Sequence, residues 1–432
     1  MTKEIHPSEV DGAIAAPASK SYAQRAIAAA LLARGESVLR GVEPSGDTIA
    51  AFSVAQALGA KISEPGSAKI SWKGDIYYVT GGLAPATKVI DIGESGLATR
   101  LFTPIAALCD KPITVTGHGS ILTRPISMME APLRELGVEV TTNGGLLPIT
   151  VRGPIRGGVV HADGALSSQF ITGLLMAAPL AQNDTLIRVA SLNSRPYIDM
   201  TLEVMRAFGV EAENRGYREF FISAGQSYTP ADYRIEGDWS GASTLLVAGA
   251  TRGSVTVTNL DPASSQADAA ILDALRMAGA IVEAGDSYAG DTMNATTGSI
   301  TVRRGELRAF AFDATQCPDL FPALVALAAS CQGVTALRGT ERLTHKESDR
   351  AATLAAEFGR MGVRIDISQP DIMKVYGGTI RGAQVDSHND HRIAMSLAVA
   401  ALSAEGTTTI TGAEAIGKSY PAFWDDLEAI RS

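Results

Sequence analysis

The chain has 432 residues, of which 46% are hydrophobic and 19% are charged, and its formal net charge is −9. This composition supplies a large core and excludes a disordered chain, while the acidic balance argues against non-specific nucleic-acid binding. The length predicts two or three domains.

Three cysteines, Cys109, Cys317 and Cys331, are too few and too scattered for a disulfide framework or a zinc site. Residues 1–10 are charged, so we expect no signal peptide. No apolar run reaches the ~18–20 residues that cross a bilayer. The sequence therefore predicts a cytoplasmic protein that binds neither membrane nor nucleic acid.

Six segments rich in small apolar residues are predicted to be helices buried on every face. In chain order they are 26–33, 97–108, 171–181, 242–250, 320–330 and 392–402. Their starts lie 71, 74, 71, 78 and 72 residues apart. This regular spacing indicates an internal repeat.

Between the apolar segments, amphipathic helices are predicted to end at a glycine that leads directly into a strand. These glycines are Gly59, Gly137, Gly209, Gly279 and Gly362, and the sixth unit is cut short at 423–430. Further short strands are predicted at 37–39, 113–116, 185–189, 254–258, 334–337 and 407–411. The pattern favours an α/β fold of six copies.

Three units and three units are the natural division of this repeat. We predict one domain over residues 19–235 and a second over residues 1–18 plus 236–432, with the active site in the cleft between them. The predicted strand at 4–15 precedes the first repeat and is expected to pair with the last units. The chain would then cross between domains twice, near 16–21 and 233–238, where we expect the hinges of a domain closure.

Polar residues stand at the starts of the six apolar helices. Serine and aspartate are ordinary N-caps, and this simpler interpretation suits Asp238 and Ser240. It does not explain Lys20 and Arg25, because the helix dipole disfavours a cation there by about 0.3–1 kcal/mol. A bound anion would offset that cost, so the starts predict a site for phosphate or carboxylate groups.

Two further clusters carry charge. Residues 344–350 read Thr-His-Lys-Glu-Ser-Asp-Arg, and on a helix Lys346 and Arg350 would be neighbours, as would His345 and Asp349; a solvated salt-bridged face is the alternative. The run 388–391, His-Asn-Asp-His, lacks further ligands at metal-binding spacing, so we expect no metal and interpret His391 as structural or proton-handling. We expect no nucleotide-binding loop, because no Gly-x-Gly-x-x-Gly follows a strand, and residues 412–419, whose letters match Gly-x-x-x-x-Gly-Lys-Ser, lead into Tyr420-Pro421 and not into a helix.

From residue 17 to residue 423, the motifs together resemble those of the 5-enolpyruvylshikimate-3-phosphate (EPSP) synthase family, the 3-phosphoshikimate 1-carboxyvinyltransferases. The matching runs are Pro-Ala-Ser-Lys-Ser at 17–21, Arg-Pro at 124–125, Ser-Ser-Gln at 167–169, Pro-Tyr-Ile-Asp at 196–199, Lys-Glu-Ser-Asp-Arg at 346–350, Asp-His-Arg at 390–392 and Lys-Ser-Tyr-Pro at 418–421. The resemblance implies two similar domains, each an inside-out α/β barrel of three βαβαββ repeats around buried parallel helices.

The resemblance also implies two substrates, shikimate 3-phosphate and phosphoenolpyruvate, each with a phosphate and a carboxylate that cations would hold. For shikimate 3-phosphate it implies Lys20, Ser21, Arg25, Ser167, Ser168, Gln169, Ser194, Tyr197, Asp313 and Lys346. For phosphoenolpyruvate it implies Lys20, Gly96, Arg124, Gln169, Arg350, Arg392 and Lys418.

The reaction implied is addition of the 5-hydroxyl to phosphoenolpyruvate, followed by loss of phosphate. The catalytic residues implied are Asp313 as the base, with Lys346 as its helper, and Glu347 as the acid that protonates the methylene carbon. No cofactor is implied, and we expect a monomer. Crowding by cations would keep Glu347 ionised, so its acid role requires transient protonation or a raised pKa.

Some positions depart from the family pattern. Glu94-Ser95-Gly96-Leu97 stands where Asn-Ala-Gly-Thr is common, and Glu94 would bring a negative charge near an anionic substrate unless a cation pairs with it. We therefore predict altered sensitivity to the anionic inhibitor glyphosate. Arg342 and Thr344 also replace the asparagine and arginine of some members.

Two alternatives remain. The related UDP-N-acetylglucosamine enolpyruvyl transferases usually carry a reactive cysteine before their Arg-Pro motif, but residues 117–123 contain none, and Cys109 is expected to be buried in an apolar helix. A non-catalytic repeat protein that binds anions would need neither Asp313 nor Glu347.

Overall fold

The structure is a computed structural model that describes residues 1–65, 75–165, 167–285, 288–289, 296–344 and 346–432. The described residues divide into two compact units. Residues Ala18–Ile235 form the first, which we call the N unit. Met1–Pro17 and the described residues from Glu236 to Ser432 form the second, which we call the C unit. No helix among the described residues is both long and apolar enough to cross a membrane.

Twelve α-helices are described. They are α1 (Lys20–Leu32), α2 (Gly46–Ala57), α3 (Gly96–Ala106), α4 (Glu130–Glu135), α5 (Gln169–Ala177), α6 (Pro196–Ala207), α7 (Trp239–Arg252), α8 (Ile271–Ala278), α9 (Phe321–Ala329), α10 (Arg350–Arg360), α11 (His391–Leu402) and α12 (Phe423–Ala429).

Twenty-four strands are described. They are β1 (Thr2–Ile5), β2 (Val10–Ala15), β3 (Gly35–Arg40), β4 (Lys61–Ser63), β5 (Ile76–Gly81), β6 (Val89–Asp91), β7 (Ile113–Thr116), β8 (Glu139–Asn143), β9 (Leu146–Arg152), β10 (Gly158–Gly164), β11 (Thr185–Leu192), β12 (Glu213–Arg215), β13 (Glu219–Ile222), β14 (Asp232–Arg234), β15 (Gly253–Leu260), β16 (Ile281–Ala284), β17 (Tyr288–Ala289), β18 (Thr296–Arg303), β19 (Ala311–Asp313), β20 (Val334–Arg338), β21 (Arg364–Asp366), β22 (Ile372–Tyr376), β23 (Gln384–Asp386) and β24 (Thr408–Thr411).

The six apolar segments form the six buried helices α1, α3, α5, α7, α9 and α11, which confirms that prediction. Every residue of α3, α9 and α11 is buried. Small side chains allow these helices to approach closely: a Cβ added at Gly173 of α5 would lie 2.2 Å from the carbonyl oxygen of Arg100 on α3. The helices are thus the packed interior of each unit, with the sheets outside them.

The amphipathic helices also end as predicted. Gly59, Gly137, Gly209, Gly279 and Gly362 all have positive φ, between 79° and 119°. This left-handed conformation carries no steric penalty for glycine, so the chain can turn from helix towards strand. The strand begins two residues after four of these glycines and four residues after Gly209.

The sheets share one topology. In the second repeat, β6 is parallel to β7, and β9 and then β8 add antiparallel strands. The orders β10-β11-β13-β12 and β19-β20-β22-β21 repeat this arrangement, as does β2-β15-β18-β16, to which β17 adds by pairing with β18. These are βαβαββ units, as the sequence resemblance implies.

Strands from distant parts of the chain complete the end repeats. In the N unit, β14 supplies the parallel strand beside β3. In the C unit, β2 supplies the parallel strand beside β15, and β1 adds antiparallel to β24 of the truncated sixth repeat. The segment predicted as one strand at 4–15 is therefore two strands, because Pro7 lacks the N–H that a continuous ladder requires.

Candidate active site

In the N unit, side chains link the first turns of the three buried helices. Ser95, the N-cap of α3, donates its hydroxyl to Gln24 Oε1 of α1 at 3.1 Å. Arg25 of α1 reaches Thr172 of α5 at 3.4 Å. The positive ends of three helix dipoles therefore meet in one place, which favours an anion there.

Arg25 is fixed by the protein itself. Its Nε donates to Thr201 Oγ1 at 2.9 Å, one Nη to the Ser21 carbonyl at 2.7 Å and the other to the Tyr197 carbonyl at 3.0 Å. Burial lowers the pKa of Arg25 to about 10, a value that still leaves it charged at neutral pH. This arginine therefore contributes a fixed positive charge and ties together residues that the family resemblance assigns to substrate.

Lys20 opens α1 and pairs with Asp47 of α2, with 3.0 Å between Nζ and the carboxylate. Its side chain is 14% exposed, so the ammonium group is partly desolvated. An ammonium group has three donors, and this pair uses one of them. Lys20 can accordingly hold an anion while Asp47 orients it.

Gly96 and Arg124 are in direct contact. A Cβ added at Gly96 would lie 2.6 Å from Nη1 of Arg124, so a side chain at this position would displace the guanidinium. Arg124 is buried and directly follows the short helical turn Gly119–Thr123. Glycine at position 96 thus lets a buried cation approach the start of α3.

Glu94 braces the turn that precedes Arg124. Its Oε2 accepts from the Ser120 N–H at 3.0 Å and from the Ser120 hydroxyl at 3.1 Å. The neighbouring Arg100 donates to the carbonyls of Gly96 and Pro125, both at 3.0 Å. Glu94 therefore has a structural role that the sequence did not reveal.

The remaining N-unit residues lie around the starts of α5 and α6. Ser167 accepts from the Gln169 N–H at 3.2 Å, and Ser168 is buried at the start of α5. Ser194 is buried with φ of +56°, and its carbonyl accepts from the Tyr197 N–H at 3.2 Å. Arg25 of α1 donates to the Tyr197 carbonyl and to Thr172, so the starts of α5 and α6 are both linked to α1.

In the C unit, three cations converge on Asp319. Lys346 Nζ lies 3.1 Å from Oδ1, Arg350 Nη1 lies 2.7 Å from Oδ1, and Arg392 Nη2 lies 3.5 Å from Oδ2. Burial alone would raise the pKa of Asp319, but the three cations hold it well below its usual range. Asp319 was not among the predicted site residues, and it is the centre of this cluster.

Arg350 lies in the middle of three carboxylates. Besides Asp319, it contacts Asp390 at 2.8 Å and Glu347 at 2.6 Å, and its side chain is 1% exposed. Burial opposes the charged form, but Asp390, Glu347 and Asp319 raise the pKa of Arg350 well above its ordinary value. We call Asp319, Lys346, Glu347, Arg350, Asp390 and Arg392 the C-unit charge cluster.

Lys346 and Glu347 sit at the edge of this cluster. Burial lowers the pKa of Lys346, and the charge of Asp319 opposes that effect. The ion pair with Arg350 stabilises the carboxylate form of Glu347. Lys418 donates to the Asn389 carbonyl at 2.9 Å, beside the start of α11. The predicted cations of the C unit are therefore close in space, with Lys418 joined to the α11 loop.

Asp313 is placed differently. It ends β19, is exposed, and accepts from the Thr315 N–H at 2.9 Å. Hydrogen bonds from Thr315, first from its side chain and then from its backbone, lower the pKa of Asp313. The Asp313 side chain thus closes a local turn, whereas Asp319 forms ion pairs with the three cations of the cluster.

The helical expectation for residues 346–350 is wrong. Helix α10 begins at Arg350, and Asp349 is its N-cap, with Oδ1 accepting from the Ala352 N–H at 3.2 Å. Lys346 and Arg350 meet through Asp319 instead of lying one turn apart on a helix. The predicted neighbour pair of His345 and Asp349 lies outside the described residues, because His345 is not described.

Comparison with known proteins now places this geometry in a family. The family model for EPSP synthase (3-phosphoshikimate 1-carboxyvinyltransferase) matches residues 5–427. The chain belongs to the EPSP synthase family. Curated relatives named 3-phosphoshikimate 1-carboxyvinyltransferase include one from Methanocella arvoryzae, 41% identical over 99% of this chain and 98% of the relative. Another from Clostridium novyi is 36% identical over 99% of this chain and 97% of the relative.

Solved structures confirm the fold. An EPSP synthase from Acinetobacter baumannii superposes with a TM-score of 0.83 at 24% identity, covering all of this chain and 98% of that one. The predicted two-part α/β fold of repeated βαβαββ units is therefore confirmed, as is the family resemblance drawn from the motifs.

The cysteines fit an EPSP synthase better than the related enolpyruvyl transferases that use a reactive thiol. All three are buried. Burial raises the pKa of Cys109 to about 11 and that of Cys331 to about 12. Cys109 lies just after α3 and not inside it, but its predicted burial is confirmed.

Two histidines flank the strained turn before α11. His388 and Asn389 both have positive φ, and His388 Nε2 contacts Glu357 Oε1 at 2.9 Å. His391 is buried, with Nδ1 3.9 Å from Asp390. Within the described part of the chain, no three His, Cys, Asp or Glu side chains group as metal ligands would.

Proposed function

We propose that the protein transfers the enolpyruvyl group of phosphoenolpyruvate to the 5-hydroxyl of shikimate 3-phosphate, giving 5-enolpyruvylshikimate 3-phosphate and phosphate. Full-length membership of the EPSP synthase family supports this reaction. The convergence of Lys346, Arg350 and Arg392 on one carboxylate is the structural observation that carries the proposal. Such a cluster suits a substrate with both a phosphate and a carboxylate.

The chemistry has two steps. In the first, the 5-hydroxyl oxygen bonds to C2 of phosphoenolpyruvate, the hydroxyl loses its proton and the methylene carbon gains one. In the second, the bond from C2 to the phosphate oxygen breaks, phosphate leaves and the new methyl group returns a proton. Each step needs one group that accepts a proton and one that donates a proton.

For the hydroxyl proton we propose Asp319 in place of Asp313. The three cations keep the Asp319 carboxylate deprotonated at neutral pH, so it has a free site for the proton, while their charge also lowers its basicity. Lys346 lies 3.1 Å away and would stabilise the alkoxide as it develops. Asp313 is exposed and engaged in a local turn, which suits a structural role.

For the methylene proton we keep Glu347 as the proposed acid. Arg350 lies 2.6 Å from its carboxylate, so protonation of Glu347 would weaken that ion pair. Protonated Glu347 would therefore transfer its proton readily to the methylene carbon, because the transfer restores the ion pair with Arg350. The substitution Glu347→Gln is accordingly expected to lower kcat more than the KM of either substrate.

We propose that the N-unit residues bind the anionic groups of shikimate 3-phosphate, through Lys20, Ser21 and the serines at the start of α5, with Arg25 holding that surface in shape. For phosphoenolpyruvate we propose Gly96 and Arg124 as the N-unit contacts. Neither a metal nor an organic cofactor is needed for the proposed steps. That the enzyme is a monomer and lies in the cytoplasm stays a prediction from the sequence.

The test is a coupled assay of phosphate release. The purified chain is incubated with phosphoenolpyruvate and shikimate 3-phosphate, and in parallel with phosphoenolpyruvate and UDP-N-acetylglucosamine. We expect phosphate release that depends on shikimate 3-phosphate. Release that depends on the sugar nucleotide would assign the protein to the related transferases, and binding without turnover would support a non-catalytic anion-binding protein.

A further inference from the structure

The guanidinium of Arg392 is held from two sides. Arg392 opens α11 and is buried, with Nη2 3.5 Å from Asp319 Oδ2. On the other side, Nη1 donates to the hydroxyl of Ser240, in the first turn of α7. Neither the sequence motifs nor the family resemblance drew attention to Ser240 as a partner of Arg392.

Ser240 is held in turn by Asp268. The Ser240 hydroxyl donates to Asp268 Oδ2, and both side chains are buried. A hydroxyl has one proton, and here that proton goes to Asp268, so the lone pairs of the oxygen are directed to Arg392. The order Asp268, Ser240, Arg392, Asp319 is therefore one continuous hydrogen-bonded chain across α7 and α11.

The loop that carries Asp268 is tied to the start of α7. Gln266 accepts from the Trp239 N–H at 3.1 Å and donates to the Gly237 carbonyl at 2.7 Å. Asp238 caps the same helix by accepting from the Ser240 N–H at 3.0 Å. These hydrogen bonds hold the loop, and with it Asp268, beside Ser240.

We infer that Asp268 and Ser240 are positioning residues for Arg392: they fix the plane of its guanidinium so that its remaining N–H groups face the anionic group of phosphoenolpyruvate. This inference rests on the proposed function, because it concerns how that substrate is held. Planar guanidinium groups bind phosphate and carboxylate through paired N–H bonds, so a change in the plane weakens both bonds together.

The charge of Asp268 makes the effect dependent on pH. Burial raises the pKa of Asp268 to about 7, and Arg392 opposes that rise. The other groups that face it are Asp319 and Cys317 in the segment before α9, and Asp238 at the start of α7. Above about pH 7 Asp268 is a carboxylate that accepts from Ser240, and below that pH the added proton weakens the chain.

The experiment compares Ser240→Ala and Asp268→Asn with the wild-type enzyme from pH 6 to pH 9. At pH 8 we expect each variant to raise the KM for phosphoenolpyruvate about tenfold, as for loss of one charge-assisted hydrogen bond, while the KM for shikimate 3-phosphate is unchanged. The ratio of variant to wild-type KM is expected to fall towards one as the pH falls to 6 for Asp268→Asn.

Ser243→Ala and Ser396→Ala are the matched controls. Both serines are buried on α7 and α11, and each donates to a backbone carbonyl of its own helix, at 2.7 Å and 3.0 Å. We expect both controls to keep wild-type KM values. A general effect on folding would lower the melting temperature and the fraction of active enzyme. It would not raise the KM for phosphoenolpyruvate while leaving the KM for shikimate 3-phosphate unchanged.

The inference is overturned if Ser240→Ala and Asp268→Asn leave the KM for phosphoenolpyruvate at its wild-type value, or if the controls raise it equally. If the wild-type chain shows no turnover, the proposed function fails, and calorimetry of phosphoenolpyruvate binding then decides the inference. Weaker binding by the two variants than by the controls supports it, and equal binding overturns it.

Discussion

Replacing Asp319 by Asn removes the charge that Lys346, Arg350 and Arg392 share, while keeping the size of the side chain. The three cations lie 3.1, 2.7 and 3.5 Å from its oxygens, and the carboxylate is 21% exposed. Removing one member of a buried ion pair costs about 3–5 kcal/mol, and because Asp319 is partly exposed we expect a loss of about 3 kcal/mol. For a unit of this size, that corresponds to a fall of roughly 6–12 °C in melting temperature.

The loss should follow pH with a definite sign. The cations lower the pKa of Asp319 in the folded protein, so its contribution to stability is present above the unfolded pKa and is lost as the pH falls through the folded pKa. The difference in stability between wild type and Asp319→Asn is therefore expected to be constant from pH 5 to pH 8 and to shrink in stronger acid. Thermal unfolding followed by circular dichroism measures it.

Activity gives the second readout. If Asp319 accepts the hydroxyl proton, kcat for phosphate release should fall by about 10²–10⁴-fold in Asp319→Asn. The control is Asp313→Asn, an exposed position where a change within about 0.5 kcal/mol is expected and where an amide oxygen still accepts from Thr315. Loss of turnover in Asp313→Asn together with full turnover in Asp319→Asn would refute the reasoning.

Three further outcomes are expected. Gly96→Ala should raise the KM for phosphoenolpyruvate about tenfold with little change in melting temperature, because the added Cβ would lie 2.6 Å from Nη1 of Arg124; an unchanged KM would show that the guanidinium moves freely. Glu94→Gln should change the inhibition constant of glyphosate, because the bonds to Ser120 weaken in the turn before Arg124, and an unchanged constant would contradict that link. Iodoacetamide at pH 8 should leave activity intact, because burial raises the pKa of Cys331 to about 12 and the other two thiols are also buried, whereas rapid inactivation would reveal an accessible thiol.

The sequence predicted the elements that depend on local signals. Alanine-rich segments without a polar face can be stable only when buried, and a glycine between helix and strand needs a left-handed backbone. Both features can be recognised in a stretch of about ten residues of sequence. The six buried helices and the five glycine turns were therefore predictable from the order of the amino acids alone.

The centre of the charge cluster was not predictable in the same way. Asp319 gains its role from Lys346, Arg350 and Arg392, which lie 27, 31 and 73 residues further along the chain. In the sequence it is one aspartate among several near a helix start. Its position after Cys317-Pro318, at the start of a buried helix, was a signal that reasoning from the helix starts could have used.

The helix expected over 346–350 failed for a related reason. A run of charges at helical spacing is compatible with a helix, but Asp349 caps the next helix and ends that possibility. Lys346 is instead held by a long-range ion pair with Asp319, and Glu347 by a local ion pair with Arg350. Spacing along the chain cannot show which carboxylate a cation selects.

The strands that complete the end repeats have a consequence for synthesis on the ribosome. Strand β2 is made before every strand of the N unit, yet its partner β15 begins at residue 253, and β24, the partner of β1, begins at residue 408. The N unit has its closing strand by residue 234. Synthesis of the C unit thus starts before that of the N unit and ends after it. Strands β1 and β2 stay unpaired while the whole N unit is synthesised.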